Sequence, residues 1–370
     1  MRKLVVLGKL ALAGLLASVL VACGGSEETE QKAQVVEKAE TIKWKMVTTW
    51  PKNFPGLGTG AESLAKHINE MSGGRLEVKV YAAGELVPAL EVFDAVSRGT
   101  AEMGHSASYY WKGKVPAAQF FTTVPFGLTS QEFNSWVYYG GGLELWEEIY
   151  APFNLIPMPA GNPGVQMGGW FNKEINSLAD FQGLKMRMPG LGGEVLKKLG
   201  ASPINIPGGE IFTALQSGTI DATEWVGPYN DLAFGLYKSA KYYYYPGWHE
   251  PGSAVEAIFN KDAFNALPND LQAIVRAAVQ QANLEMINEY TARNNAALQT
   301  LLNEHNVQLK PYPEDLLIAL KKASAETLEE VAANDPDSQR VYKSFKAFLD
   351  SVTTWQDVSD RAFVNARSLP

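Results

Sequence analysis

Gln182-Gly183-Leu184-Lys185-Met186-Arg187-Met188-Pro189 is the stretch on which the reading of the fold turns. Gly183 closes a helical turn, and Leu184, Met186 and Met188 then alternate with Lys185 and Arg187 at strand period. Pro189 stops the strand, and a Gly-rich turn runs on to Gly193. The alternation buries one row of side chains and aims the other, with Arg187, across the sheet. Arg187 then stands at the carboxyl end of a strand in an α/β pattern, where open sheets hold their ligands. Taken alone it reads equally as a surface arginine; in that setting its guanidinium is a two-pronged fork for a carboxylate.

Outward from this strand the same plan is written twice. On the C-terminal side come a helix over Gly193–Leu199, a strand over Ser202–Ile206, a helix over Gly209–Ser217 and a strand over Ile220–Trp225. Earlier, a strand over Ile42–Val47 leads to a helix over Ala61–Met71, then a strand over Leu76–Tyr81. A short helix over Leu90–Arg98 and a buried strand over Ala101–His105 follow. Strand–helix–strand–helix–strand implies a parallel sheet with right-handed crossovers. Tyr109 and Tyr110 follow the last of these strands directly, either as core or as hydroxyls that orient a small polar ligand. Between the halves, Gln166 alternates with apolar neighbours on an expected strand. Beyond them, Ala254–Asn260 reads as a strand, Asn269–Asn303 as one long helix, and Leu316–Ala332 as another helix. A final helix runs from Pro336 to about Asn365, with Val341, Phe345, Phe348, Val352 and Trp355 spaced as a heptad seam.

Composition narrows the function. The 370 residues suffice for two domains with real cores, and 19% charged residues with a net charge of -8 give nucleic acid nothing to hold. Arg2 and Lys3 precede an apolar run from Leu4 to Ala22, which predicts a signal peptide over residues 1–22. Leu20-Val21-Ala22-Cys23 matches a bacterial lipoprotein box, and Cys23 is the chain's one cysteine. It predicts a lipid anchor and rules out disulfides within the chain. Residues 23–41, rich in Ser, Glu, Gln and Lys, read as a flexible tether. The expectation is a periplasmic protein anchored to a membrane.

Several segments together resemble the extracytoplasmic solute receptors of TRAP transporters, the DctP family. They are Lys45–Trp50, Leu76–Leu86, Ser177–Pro189, Ala214–Asp221 and Leu271–Glu285, within a likeness over roughly residues 42 to 335. Gly161-Asn162, Val165–Trp170, Thr223–Pro228 and Trp248–Gly252 are similar to the branch that binds 2-oxoacids and lactate beside a metal ion. Those relatives are usually soluble in the periplasm, so Cys23 is a departure. The resemblance implies a two-lobed architecture of the type II periplasmic-binding kind, with a hinge and a long interlobe helix. Lobe I would comprise residues 42–163 and 254–292, lobe II residues 164–253 and 293–335, and residues 336–370 an added dimerisation helix.

It further implies that Arg187 takes the ligand carboxylate, and that Gln166, Glu224, the carbonyl of Trp225 and Glu250 ligate a cation. Asn162, Gln166, Tyr109, Tyr110 and Trp225 complete the substrate-binding set. Oxygen ligands of this kind suit Na⁺, Ca²⁺ or Mg²⁺ rather than zinc or copper. Two ionised glutamates and one arginine leave a net negative charge that repels a carboxylate, and a cation resolves it. Electrostatics favours Ca²⁺, the resemblance Na⁺. His249 reads as a local packing residue. The expected function is capture of a small monocarboxylate for a TRAP membrane permease, without catalysis. The alternatives are a C4-dicarboxylate receptor and an exported hydrolase using Glu224 and Glu250 as acid and base.

Overall fold

A computed structural model describes residues 40–370. The expected signal peptide, nearly all of the tether and Cys23 lie outside the described residues. Eleven strands build two sheets. In chain order they are β1 (Ile42–Thr48), β2 (Leu76–Tyr81), β3 (Met103–Ser106), β4 (Leu155–Gly161), β5 (Gly169–Phe171) and β6 (Lys185–Arg187). There follow β7 (Ser202–Ile204), β8 (Ala222–Thr223), β9 (Tyr242–Tyr245), β10 (Val255–Asn260) and β11 (Gln308–Pro311).

The first sheet has the order β2-β1-β3-β10-β4. Its first three strands are parallel, as the strand–helix alternation predicts. The other two are an addition: β10 runs antiparallel to both β3 and β4, so the sheet is mixed. β3 and β10 are buried along their whole length, as central strands covered on both faces must be. The second sheet has the order β11-β9-β5-β8-β6-β7, with β6 parallel to both β7 and β8. Because β10 returns to the first sheet and β11 to the second, the chain crosses between them repeatedly.

The helix over Asn269–Asn303 forms as predicted and packs on both β4 and the helix Leu57–Met71. No helix of the described residues is long and apolar enough to cross a membrane. Helices over Ser130–Tyr139 and Gly142–Tyr150 went unpredicted; they bury Phe133, Trp136 and Trp146. The final helix is two pieces rather than one, Pro336–Val358 and Asp360–Arg367, because Ser359 leaves the helical region at φ -116 and ψ -106. Its seam is also divided. Val341 and Phe345 are buried in the chain's own core, whereas Trp355 is 65% exposed and Val358 and Phe363 lie in the open beyond it.

One buried carboxylate stands out beside β3. Glu256, on β10, accepts hydrogen bonds from Ser108 Oγ at 2.6 Å and Tyr150 OH at 3.1 Å, with Trp111 Nε1 in turn donating to Tyr150 OH. It has no cationic partner among the described salt bridges, and burial pushes its carboxyl up to about 8.

Candidate ligand and cation site

Arg187 is the last residue of β6, and the sheet does not let it out. It is fully buried, where the sequence alone allowed a surface position. Its Nη1 donates to the carboxylate of Glu224, its Nη2 to Tyr110 OH at 3.2 Å, and its guanidinium carbon lies 5.2 Å from the centre of the Trp225 ring. Arg187 Nε has no hydrogen-bond partner among the described residues. An arginine so held is pre-set rather than searching for its geometry.

Glu224 and Trp225 were expected on a strand over Ile220–Trp225. The strand ends instead at Thr223, because Asp231 draws the chain into a turn. Its carboxylate accepts from the Val226 amide at 3.3 Å, from Trp170 Nε1 at 2.9 Å and from Tyr243 OH at 2.6 Å. The next helix then begins at once, at Pro228. Gln166 likewise sits in a loop and not on a strand. Pro163-Gly164, with Gly164 at φ +85, turns the chain aside before β5 begins. The loop is clamped instead: Gln166 N–H donates to the Glu250 carbonyl, and the Gln166 carbonyl accepts from Gly247 N–H, both at 3.0 Å. That clamp brings Gln166 and Glu250 to one place.

Tyr109, Tyr110, Gln166 and Trp225 line a small cavity of about 20 Å³, together with Trp50 and Ser253. Asn162 stands outside that lining. Its Oδ1 accepts from Ser130 Oγ at 2.8 Å and from the amides of Gly164 and Ser253 at 3.0 and 3.2 Å, which makes it a clasp between two crossing segments.

Glu224, His249 and Glu250 each bring a potential ligand atom to within 4.8 Å of the others. His249 was read as a packing residue, yet it is fully buried here and neither ring nitrogen has a hydrogen-bond partner among the described residues. The signal was its position beside Glu250. Burial lowers it to about 4, so it is the neutral imidazole. Glu224 Oε2 and Gln166 Oε1 are also buried without partners. Burial, then the Glu224 charge, pushes Glu250 up to about 7; burial also raises Glu224, against the opposing pull of Arg187. Buried oxygens left unpaired are costly, and they are what a hard cation needs.

Besides the Arg187–Tyr110 bond, the ties that cross between the parts built on the two sheets include three more. Lys112, just after the Tyr109–Tyr110 turn, pairs with Glu194 at 2.6 Å on the helix that follows β6. Gly190, at φ +60, opens that helix so close to Tyr109 that an added Cβ would lie 2.7 Å from its ring. Asn230 Nδ2 donates to the Pro55 carbonyl at 2.8 Å while accepting from Tyr290 OH at 2.6 Å.

Comparison with known proteins places these features in context. The family described as bacterial extracellular solute-binding protein, family 7 (DctP) matches residues 46–335. A monocarboxylate 2-oxoacid-binding periplasmic protein, all3028, from Nostoc sp. is 46% identical over 351 residues, covering 95% of each chain. A TRAP periplasmic solute-binding protein from Pseudoalteromonas atlantica, solved with sodium and pyruvate, is 45% identical with a TM-score of 0.86. It covers 90% of this chain and is itself covered completely. One from Bordetella bronchiseptica, a mixed-occupancy dimer with calcium and picolinate in its active site, is 40% identical with the same TM-score. That match covers 88% of this chain and 97% of the other.

Proposed function

The chain belongs to the bacterial extracellular solute-binding proteins of family 7, and from that premise we propose that it captures a small 2-oxoacid such as pyruvate, or lactate, for a TRAP membrane permease. The observation that carries the ligand class is the buried Arg187 guanidinium held directly behind the wall of a small cavity, its Nη2 donating to the hydroxyl of the wall residue Tyr110. Arg187 binds the carboxylate, and Tyr109, Tyr110 and Trp225 shape the rest of the pocket. Gln166, Glu224, the Trp225 carbonyl and Glu250 hold a cation, Na⁺ or Ca²⁺, with His249 beside them. The cation offsets the two glutamates and gives ligand oxygens a second positive partner. The neighbours with sodium and pyruvate, and with calcium and picolinate, support that reading.

The ligand lies between two lobes, residues 42–163 with 254–292, and residues 164–253 with 293–335. In support, the strands of each sheet fall within one of these sets. Cys23 carries a lipid that ties the periplasmic receptor to a membrane. Titration calorimetry on refolded protein with pyruvate, 2-oxobutyrate, lactate, succinate and malate tests the ligand class. Binding of the monocarboxylates and none of succinate is expected, since among the described residues no arginine lines the cavity and Arg187 alone stands behind its wall. Tight succinate binding without pyruvate binding overturns it in favour of a C4-dicarboxylate receptor.

The C-terminal helices form a two-fold dimer. Trp355, Val358 and Phe363 leave an apolar face that a second copy of the chain covers. Val341 and Phe345 plug this chain's own core, so truncation belongs after Asp350 and not before Pro336. Removing residues 351–370 is expected to give a monomer with unchanged pyruvate affinity; light scattering that reports a monomer for the intact protein refutes the dimer.

A further inference from the structure

Ser253 lies where the chain leaves the Trp248–Glu250 segment for β10, buried at 4% exposure in the cavity wall. Its hydroxyl has two partners of opposite kind. It donates to Glu250 Oε2, and it accepts from Gln166 Nε2 at 3.1 Å. A serine hydroxyl has one hydrogen to give, and the Glu250 contact takes it. Its lone pairs can then face only donors, and the donor on Gln166 is the amide nitrogen.

That choice decides which end of Gln166 is free. With Nε2 committed to Ser253, Oε1 is the end left buried without a partner. Were the amide turned over, two N–H donors would point where a cation sits. The same hydroxyl bond also restrains Glu250. The backbone of Ser253 is itself fixed, because its N–H donates to Asn162 Oδ1 at 3.2 Å. Asn162 in turn is held by Ser130.

We propose that Ser253 is the positioning residue of the cation site, setting the amide of Gln166 oxygen-inward and the carboxylate of Glu250 in reach, without being a ligand itself. The inference rests on the cation reading given above. Partners that orient metal ligands are worth roughly 10- to 100-fold in metal affinity. Ser253 therefore controls how well the receptor retains its ion.

The test is calorimetric titration of Ca²⁺, and in a separate run of Na⁺, into protein freed of ions by chelation and dialysis, comparing wild type, Ser253→Ala and Ser253→Thr. Wild type is expected to bind, Ser253→Ala to bind about 10- to 100-fold more weakly, and Ser253→Thr, which keeps the hydroxyl, to recover most of the loss. Thermal unfolding of the stripped proteins should show little difference, whereas the Ca²⁺-induced rise in melting temperature should shrink in Ser253→Ala alone. If wild type binds and Ser253→Ala binds equally well, the positioning role is wrong and the cation site stands. If Ser253→Ala binds weakly but Ser253→Thr does no better, the hydroxyl is not the agent and the proposal fails. If wild type binds neither Ca²⁺ nor Na⁺, the cation reading falls and takes this one with it.

Discussion

Replacing Arg187 with alanine is expected to lower pyruvate affinity by about 30- to 4,000-fold, because truncating one partner of a buried charge pair costs about 2 to 5 kcal/mol. The side chain is fully buried and touches Glu224, Tyr110 and the Trp225 ring. The same change leaves Glu224 without its counter-charge inside the protein, which destabilises the fold as well. Affinity should therefore be measured well below the melting temperature, with thermal unfolding recorded alongside. Arg187→Lys keeps the charge but not the fork, and should lose about 10-fold or more while melting closer to wild type. Normal pyruvate binding by a folded Arg187→Ala protein would place ligand recognition elsewhere.

Glu256→Gln is expected to raise stability at pH 8 and to flatten its dependence on pH. The folded-state carboxyl is pushed up to about 8 by burial, while an exposed glutamate titrates near 4.5. Between those values the unfolded chain gives up its proton and the folded protein keeps it. Stability is thus full below about 4.5 and is lost as pH rises through 8. At one pKa unit per 1.36 kcal/mol, the upper bound on this loss is on the order of 5 kcal/mol. Glutamine retains an oxygen for Ser108 and Tyr150 and has no charge to lose. Melting temperatures from pH 5 to 8 check this: parallel curves for wild type and variant would show that Glu256 does not carry the dependence.

Much of the fold was open to sequence reasoning because periodicity and punctuation agreed. The helix expected from Asn269 to about Asn303 forms over Asn269–Asn303. The parallel run β2-β1-β3 followed from strand–helix alternation. What escaped was whatever tertiary contacts override. Gln166 alternates with apolar neighbours yet lies in a loop, since the clamp to Gly247 and Glu250 involves residues some eighty positions away. β8 stops after Thr223 because of the turn around Asp231, which no local pattern announces. At the site, Arg187 was named from its place at a strand end and Glu224 and Glu250 from resemblance, and the structure sets all three inside the protein. His249 was read as a local packing residue and Ser253 was not considered, since a lone serine carries no spacing signal. Only the approach of separate segments gives them partners.

Three of the ties between the two parts of the molecule touch no residue proposed to hold the carboxylate or the cation. Lys112–Glu194 and Asn230–Pro55 involve no residue of the cavity wall, so they are expected to add equally to the affinity of every ligand that lets the parts meet. Such uniform contributions strengthen binding without sharpening choice. Discrimination among acids is left to the shape and charge of the cavity, and residence time to ties that do not read the ligand. The rate at which a cargo is surrendered can therefore be tuned at Lys112 or Asn230 without changing which cargo is taken.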